Sequence, residues 1–390
     1  MGITKKINFE SIFIFLFLAI FPFGQIIRLN FNFIGLNIPL TPLDIVAGLG
    51  ALYSIFFQKG KPVIFKFLNF FLIVAAFSFA VSVFTFGKEA LYGLFYLFRI
   101  FAYVYFLNYV WNFVKNSELR KKLLLNSLLV VSIASAIFGW IQFFTVPDLK
   151  PLYYIGWDMH LYRLAGTFLD PTFLGLIIVF GLILAMIRFL DSSEKKYIPV
   201  IVFLLVSLAF TYSRASYLAF LGGFFVIGVT KKKIRKIFLW VIGLVVIAFL
   251  LPTARNHSIE LTRTFSIEAR LVNYKEAIEV FKQSPIFGVG YNNMCVARNR
   301  YIGFEPFASH ACSGSDSSLL LILATTGITG LMVFLGAVLD IYKTLKDSRN
   351  FLIIMAAMAA LFIHSLFSNS LFFPWIMGYM VILLAVSTKE

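Results

Sequence analysis

PTFLGLIIVFGLILAMIRFL, residues 171–190, decides the fold. It holds one charged residue, Arg188. At 1.5 Å per residue, twenty residues of helix reach about 30 Å, the hydrocarbon thickness of a bilayer. No side of this helix is polar, so its solvent is lipid or protein on every face. Nothing alternates with period two, which excludes a barrel strand. Asp170 and Pro171 before it read as a helix start, the aspartate as cap and the proline in the first turn.

Similar runs lie on both sides, near 10–27, 39–57, 63–86, 90–113, 123–146, 197–212, 215–230, 237–252, 317–341, 351–369 and 372–387. Sixty per cent of the 390 residues are hydrophobic and only 13% are charged. A water-soluble domain carries about a quarter charged residues, so most of this chain is dissolved in lipid. The expected fold is all-α, a polytopic membrane protein of about twelve transmembrane helices with a helical extracytoplasmic loop domain. Residues 1–252 form an N-terminal bundle, 253–316 the large loop and 317–390 the C-terminal helices. The run after Lys5 and Lys6 has no small-residue cleavage site and reads as the first span rather than a signal peptide.

The net charge of +16 reflects topology, not nucleic acid. With the N-terminus inside, the inner segments hold Lys5 and Lys6; Lys59, Lys61 and Lys66; Lys115 and Arg120 to Lys122; Arg188, Lys195 and Lys196; Lys231 to Lys233, Arg235 and Lys236; Lys343, Lys346 and Arg349; and Lys389. Most short outer segments hold one basic residue or none. This asymmetry places both termini on the cytoplasmic side of the cytoplasmic membrane. Two long outer segments remain, about 147–170 and 253–315, and loops of that length usually carry function. Both cysteines, Cys295 and Cys312, lie in the second loop. They form either a disulfide, which the outer compartment permits, or two unrelated thiols.

Within that loop, SIEARLVNYKEAIEVFKQ, residues 266–283, is an amphipathic helix. Ile267, Leu271, Tyr274, Ile278 and Phe281 share one face, while Glu268, Lys275, Glu276, Glu279 and Lys282 lie opposite. Arg270 sits at the edge of the apolar face, beside Tyr274. It either snorkels to headgroups or makes an anion site at the membrane surface. Pro285 ends the helix, and the glycines of Phe287-Gly288-Val289-Gly290 make a tight turn.

Other arginines raise the same question. Arg214 lies between two apolar runs with no charge nearby, so it is an interfacial anchor or faces an anion or watery cavity. Arg163 precedes the 171–190 span, and Arg99 lies inside the fourth, as a buried partner or a snorkelling residue. Asp316 or Ser315 either caps the helix that follows or, for Asp316, serves as a general base; His310 is a second candidate base or a loop histidine. No spacing suggests a metal site, no carboxylate pair suggests a glycosidase and no nucleophile elbow is present.

Four segments stand in a familiar order: Arg163–Pro171, Thr211–Ala215, Glu268–Gly290 and Asp316–Leu331, the last with Ala324-Thr325-Thr326-Gly327-Ile328-Thr329-Gly330. On these the chain resembles the O-antigen ligase and polymerase superfamily of bacterial envelope glycosyltransferases, over roughly residues 90–345. The resemblance implies a metal-independent, inverting membrane enzyme of the C type, with no cofactor. It implies transfer of a glycan from a polyprenyl-diphosphate donor to an acceptor hydroxyl on the outer face, with chain-length regulators or other assembly proteins as candidate partners. Arg214 and Arg270 would then grip the diphosphate, Arg163, Tyr274 and Arg99 would contact substrate, and Asp316 or His310 would activate the acceptor. Ligases carry His-Asn where this chain has Asp316-Ser317, which points to a polymerase of lipid-linked repeat units. The alternatives are a ligase and, from another class, a flippase of lipid-linked sugars.

Overall fold

The computed structural model describes residues 9–33, 36–155, 157–232, 238–244, 246, 265–303 and 314–389. The fold is all-α, with one antiparallel hairpin of β1 (Leu29–Phe33) and β2 (Leu36–Leu40). The helices of the first half are α1 (Phe9–Ile20), α2 (Pro42–Phe57), α3 (Phe65–Phe86), α4 (Leu91–Val114) and α5 (Glu118–Thr145). Then come α6 (Pro171–Ser192), α7 (Tyr197–Phe210) and α8 (Arg214–Lys231). The large loop contributes α9 (Phe265–Gln283) and α10 (Met294–Tyr301), and α11 (Ser318–Leu345), α12 (Phe351–Ser365) and α13 (Pro374–Ser387) close the chain. His310 and Cys312 lie outside the described residues.

Local sequence accounts for the helix starts. Thr41 and Asp44 form a reciprocal capping box ahead of α2. Side chains of Ser117, Asp170, Ser213 and Ser317 accept the orphan N–H groups of α5, α6, α8 and α11. Apolar on every side, α6 is the central helix, buried without interruption from Leu174 to Ile187. Hydrophobic burial does not draw helices together in lipid, so close packing must. A Cβ on Gly175 of α6 would lie 2.4 Å from Ser216 Oγ of α8, which is why these two helices touch backbone to side chain there.

Among the described residues four helical stretches are long and apolar enough to cross a membrane: Phe65–Val114, which joins α3 to α4, then Glu118–Thr145, Pro171–Ser192 and Ser318–Leu345. Shorter apolar helices accompany them at Ser11–Ile26, Pro42–Phe57, Tyr197–Phe210, Phe351–Ser365 and Pro374–Ser387. The chain is an integral membrane protein. Helix length alone does not confirm the twelve spans counted from hydropathy, and the run expected near 237–252 lies largely outside the described residues.

One junction unites the loop with the bundle. Gly327, midway along α11, has φ +67°, and the helix breaks there. In an unbroken helix the N–H groups of Ile328 and Thr329 would donate to Ala324 and Thr325. Here they donate instead to Pro285 O at 2.9 Å and Ile286 O at 3.3 Å. The two freed carbonyls accept from Val289 and Gly290, each at 3.0 Å, and Ser78 Oγ donates to Thr325 O at 2.6 Å. Every group released by the break finds a new partner, as buried backbone in a membrane protein must. Both glycines are obligatory. Gly288, with φ +73°, would set a Cβ 2.3 Å from Thr325 C, and a Cβ on Gly327 would lie 2.2 Å from Ile286 O.

The amphipathic helix turns most of its apolar stripe outward and packs on the bundle through the edge of that stripe. Along α9, Ile267, Leu271 and Ile278 are exposed, whereas Ala277 and Val280 are buried. The packed face runs through Arg270, Asn273, Ala277 and Val280, rotated from the expected stripe. In a membrane an apolar stripe can face lipid as well as protein, and periodicity does not say which.

Candidate functional site

The N-termini of α6, α8 and α11 meet the C-terminus of α12 at one end of the bundle. His364, fully buried near the end of α12, ties them together. Its Nε2 lies 3.2 Å from Thr172 O of α6 and 3.3 Å from Ser216 Oγ of α8, and its Nδ1 lies 2.5 Å from Ser370 Oγ. A carbonyl only accepts, so the Nε2–H tautomer fits, with Nδ1 accepting from Ser370. Ser317 Oγ donates to Ser365 O at 3.3 Å and Ser318 Oγ to Ser368 O at 3.2 Å, which adds α11 to the same polar layer.

Over this layer lies α9. Its Tyr274 hydroxyl donates to Leu366 O at 2.6 Å, satisfying an orphan carbonyl at the end of α12. Its Asn273 Oδ1 accepts from the Asp316 N–H at 2.8 Å and from Ser315 Oγ at 3.1 Å. One turn earlier stands Arg270, half-buried on the same packed face.

Electrostatics show which charges share this space. Burial lowers the pKa of Arg214, and the charge of Arg270 lowers it further, so the two guanidiniums lie within electrostatic range of each other. Burial raises the pKa of Asp316; Arg270 and Arg298 oppose that rise, and Asp158 adds to it. Tyr274 is also raised by burial, with Arg270 and Asp316 as its charged neighbours. Arg214, Arg270, Tyr274 and Asp316 therefore occupy one partly buried neighbourhood. Asp316 does not cap α11, because Ser317 does, by accepting from the Leu320 N–H. Its carboxylate lies within electrostatic range of Arg270 and Arg298.

Two other sequence candidates do different work. Arg163 is buried, and its fork is committed to backbone: Nε donates to Thr211 O at 3.0 Å and Nη2 to Tyr212 O at 3.2 Å. Tyr212 has φ +49°, a costly conformation for a bulky residue. By holding the carbonyls of that turn, Arg163 fixes the chain immediately before Arg214. Arg99 sits apart from this group, ion-paired with Asp44 at 3.0 Å and donating to Pro39 O at 2.6 Å. It serves the start of α2, since Asp44 is the capping-box residue there.

Arg298, itself buried, ion-pairs with Glu276 and so joins α10 to α9. Cys295 beside it is buried and disulfide-bonded; the only other cysteine in the sequence is Cys312. Among the described residues no three His, Cys, Asp or Glu side chains gather as a metal site needs.

Sequence reasoning missed Asn273, Asp158 and His364. An ionisable residue inside an apolar run is itself a signal, and His364 carried it. Asn273 and Asp158 carried none, since each is polar in a polar stretch.

No curated protein matches the chain. A family model described as O-antigen ligase matches residues 199–335, from α7 through the broken centre of α11 and so across Arg214, Arg270, Tyr274 and Asp316. Residues 199–335 therefore carry a domain of the O-antigen ligase and polymerase superfamily.

Proposed function

We propose that the protein transfers a glycan from a polyprenyl-diphosphate donor to an acceptor hydroxyl at the outer face of the cytoplasmic membrane, and that it polymerises lipid-linked repeat units. The observation that carries this reading is that Arg270 lies within electrostatic range of both Arg214 and Asp316 in a partly buried space. Two neighbouring guanidiniums repel, and an anion between them relieves the repulsion. A diphosphate suits that place, because arginine forks bind its oxygens bidentately and hold their charge at any working pH.

In the reaction, the acceptor oxygen attacks the anomeric carbon and its proton passes to the Asp316 carboxylate. The bond from that carbon to the diphosphate oxygen breaks, and the lipid diphosphate leaves with the electron pair, its growing charge held by Arg214 and Arg270. Fixed cations aimed at developing charge in a poorly hydrated site lower such a barrier by about 3–4 kcal/mol per donor. A base works best with a pKa near the operating pH, and burial moves Asp316 that way.

A ligase reading draws support from the description of the matching family. The polymerase reading draws on Asp316-Ser317 standing where ligases are expected to carry His-Asn. Incubating the purified protein with a synthetic polyprenyl-diphosphate repeat unit separates them. A product ladder supports the polymerase, and a single transfer to an added acceptor the ligase. Movement of substrate across liposomes without any transfer would sink both in favour of a flippase.

A further inference from the structure

A second cationic group lies near the first. Arg28 stands between the 3-10 turn Phe21–Ile26 and β1, half-buried, with its Cζ 5.6 Å from the centroid of the Trp157 ring. Its Nε is enclosed, yet it has no hydrogen-bond partner among the described residues, and no carboxylate there pairs with its guanidinium. Tyr92 and Tyr96 of α4 neighbour it, their hydroxyls 3.3 Å apart. So does Arg99, a second positive charge, which Asp44 already balances. Burial lowers the pKa of Arg28, Tyr96 and Tyr92 oppose that fall and Arg99 adds to it, so this guanidinium carries a burial cost that no carboxylate among the described residues offsets.

The two groups meet through adjacent residues. Trp157 lies under Arg28, while the charge of Asp158 reaches both Asp316 and Asp170. A transfer that inverts the anomeric centre brings the attacking oxygen in from the side away from the leaving group. It therefore needs a second place to hold the acceptor, separate from the arginines that hold the diphosphate. An uncompensated guanidinium fork binds phosphate, and a tryptophan face and tyrosine hydroxyls bind a pyranose ring.

We propose that Arg28, Trp157, Tyr92 and Tyr96 form a second site that takes the phosphate-bearing end of an acceptor glycan. This inference rests on the transfer reaction proposed above. The shared chemistry is a phosphorylated sugar; its source is either the diphosphate of a second lipid-linked unit or a phosphate on the sugar of another acceptor.

The test is a binding measurement, so it does not depend on turnover. Inorganic pyrophosphate is titrated calorimetrically into the full chain in detergent, with Arg214→Gln and Arg270→Gln removing the first site. One site should remain, and adding Arg28→Gln should weaken it at least tenfold. Thermal unfolding of each variant confirms that it is folded. Trp157→Leu, which removes the ring and spares the guanidinium, should weaken a hexose phosphate threefold or more while leaving pyrophosphate binding unchanged. Competition identifies the source: farnesyl diphosphate displacing better points to the lipid diphosphate, and hexose phosphate displacing better to a phosphorylated sugar. Residual pyrophosphate binding that Arg28→Gln leaves intact, or no residual site in the folded double variant, overturns the proposal. Arg28-dependent binding in a protein that never transfers sugar would overturn the proposed reaction and leave this site standing.

Discussion

The backbone N–H of Asp316 donates to Asn273 Oδ1 at 2.8 Å, so the candidate base ahead of α11 is held by the helix that carries Arg270 one turn away. A base and a cation on separate segments are set in register by one amide. Asn273→Ala removes that hold and leaves both reacting groups in the chain. Turnover should fall about tenfold to a hundredfold, as displacement of a reacting group by an ångström does, while donor affinity stays within about twofold. Steady-state kinetics with direct donor binding check this, and an equal loss in both would refute it.

Arg270→Lys keeps the charge and loses the fork. If the diphosphate is bound bidentately, the transfer rate should drop by about a hundredfold or more, in line with the loss of one transition-state donor. Full activity in the lysine variant would remove the arginine fork from the mechanism.

Burial, the largest influence on Asp316, raises its pKa above the ordinary carboxylate value of 3.8. Activity that needs the carboxylate should therefore rise with pH along a limb lying above that value. Arg270→Gln deletes an opposing charge and should move the limb further upward; a downward shift counts against Asp316 as the base. The same raised pKa favours the fold only where the group is protonated. That stability is full below the unfolded-state pKa and is lost as pH climbs through the folded one. Asp316→Asn should thus be inactive yet at least as heat-stable as the natural protein at neutral pH, which thermal unfolding measures.

Tyr274→Phe deletes a 2.6 Å hydrogen bond to the end of α12. The expected loss is about 1 kcal/mol of stability, seen as a lower unfolding temperature. Gly327→Ala is far more damaging, because φ +67° and a contact of 2.2 Å to Ile286 O oppose it together. A loss of about 3 kcal/mol or more is expected, and a variant as stable as the natural protein would show the break in α11 to be dispensable.

The helices were legible because apolar length and caps are local properties. Asp170 announces α6 in the sequence itself, whereas the cap of α11 is Ser317 rather than the expected Asp316 or Ser315. Arg214 stood out as a charge between apolar runs, Arg270 as one at the edge of an apolar stripe and Asp316 as a cap or base, and Arg270 lies in electrostatic range of the other two. What stayed hidden was the use of each charge. Nothing about Arg163 reveals that its fork clasps the carbonyls of residues 211 and 212, or about Arg99 that Asp44 balances it, since both partners are brought in by tertiary packing.

The exchange of backbone partners at Gly327 also sets the order in which this site can be assembled. While the chain is being made, the Pro285–Gly290 turn emerges before the strip of α11 that must receive its N–H groups. A copy cut short before residue 324 lacks the carbonyls that receive Val289 and Gly290, so α9 would have no such seat and Arg270 and Asp316 would not be held in register.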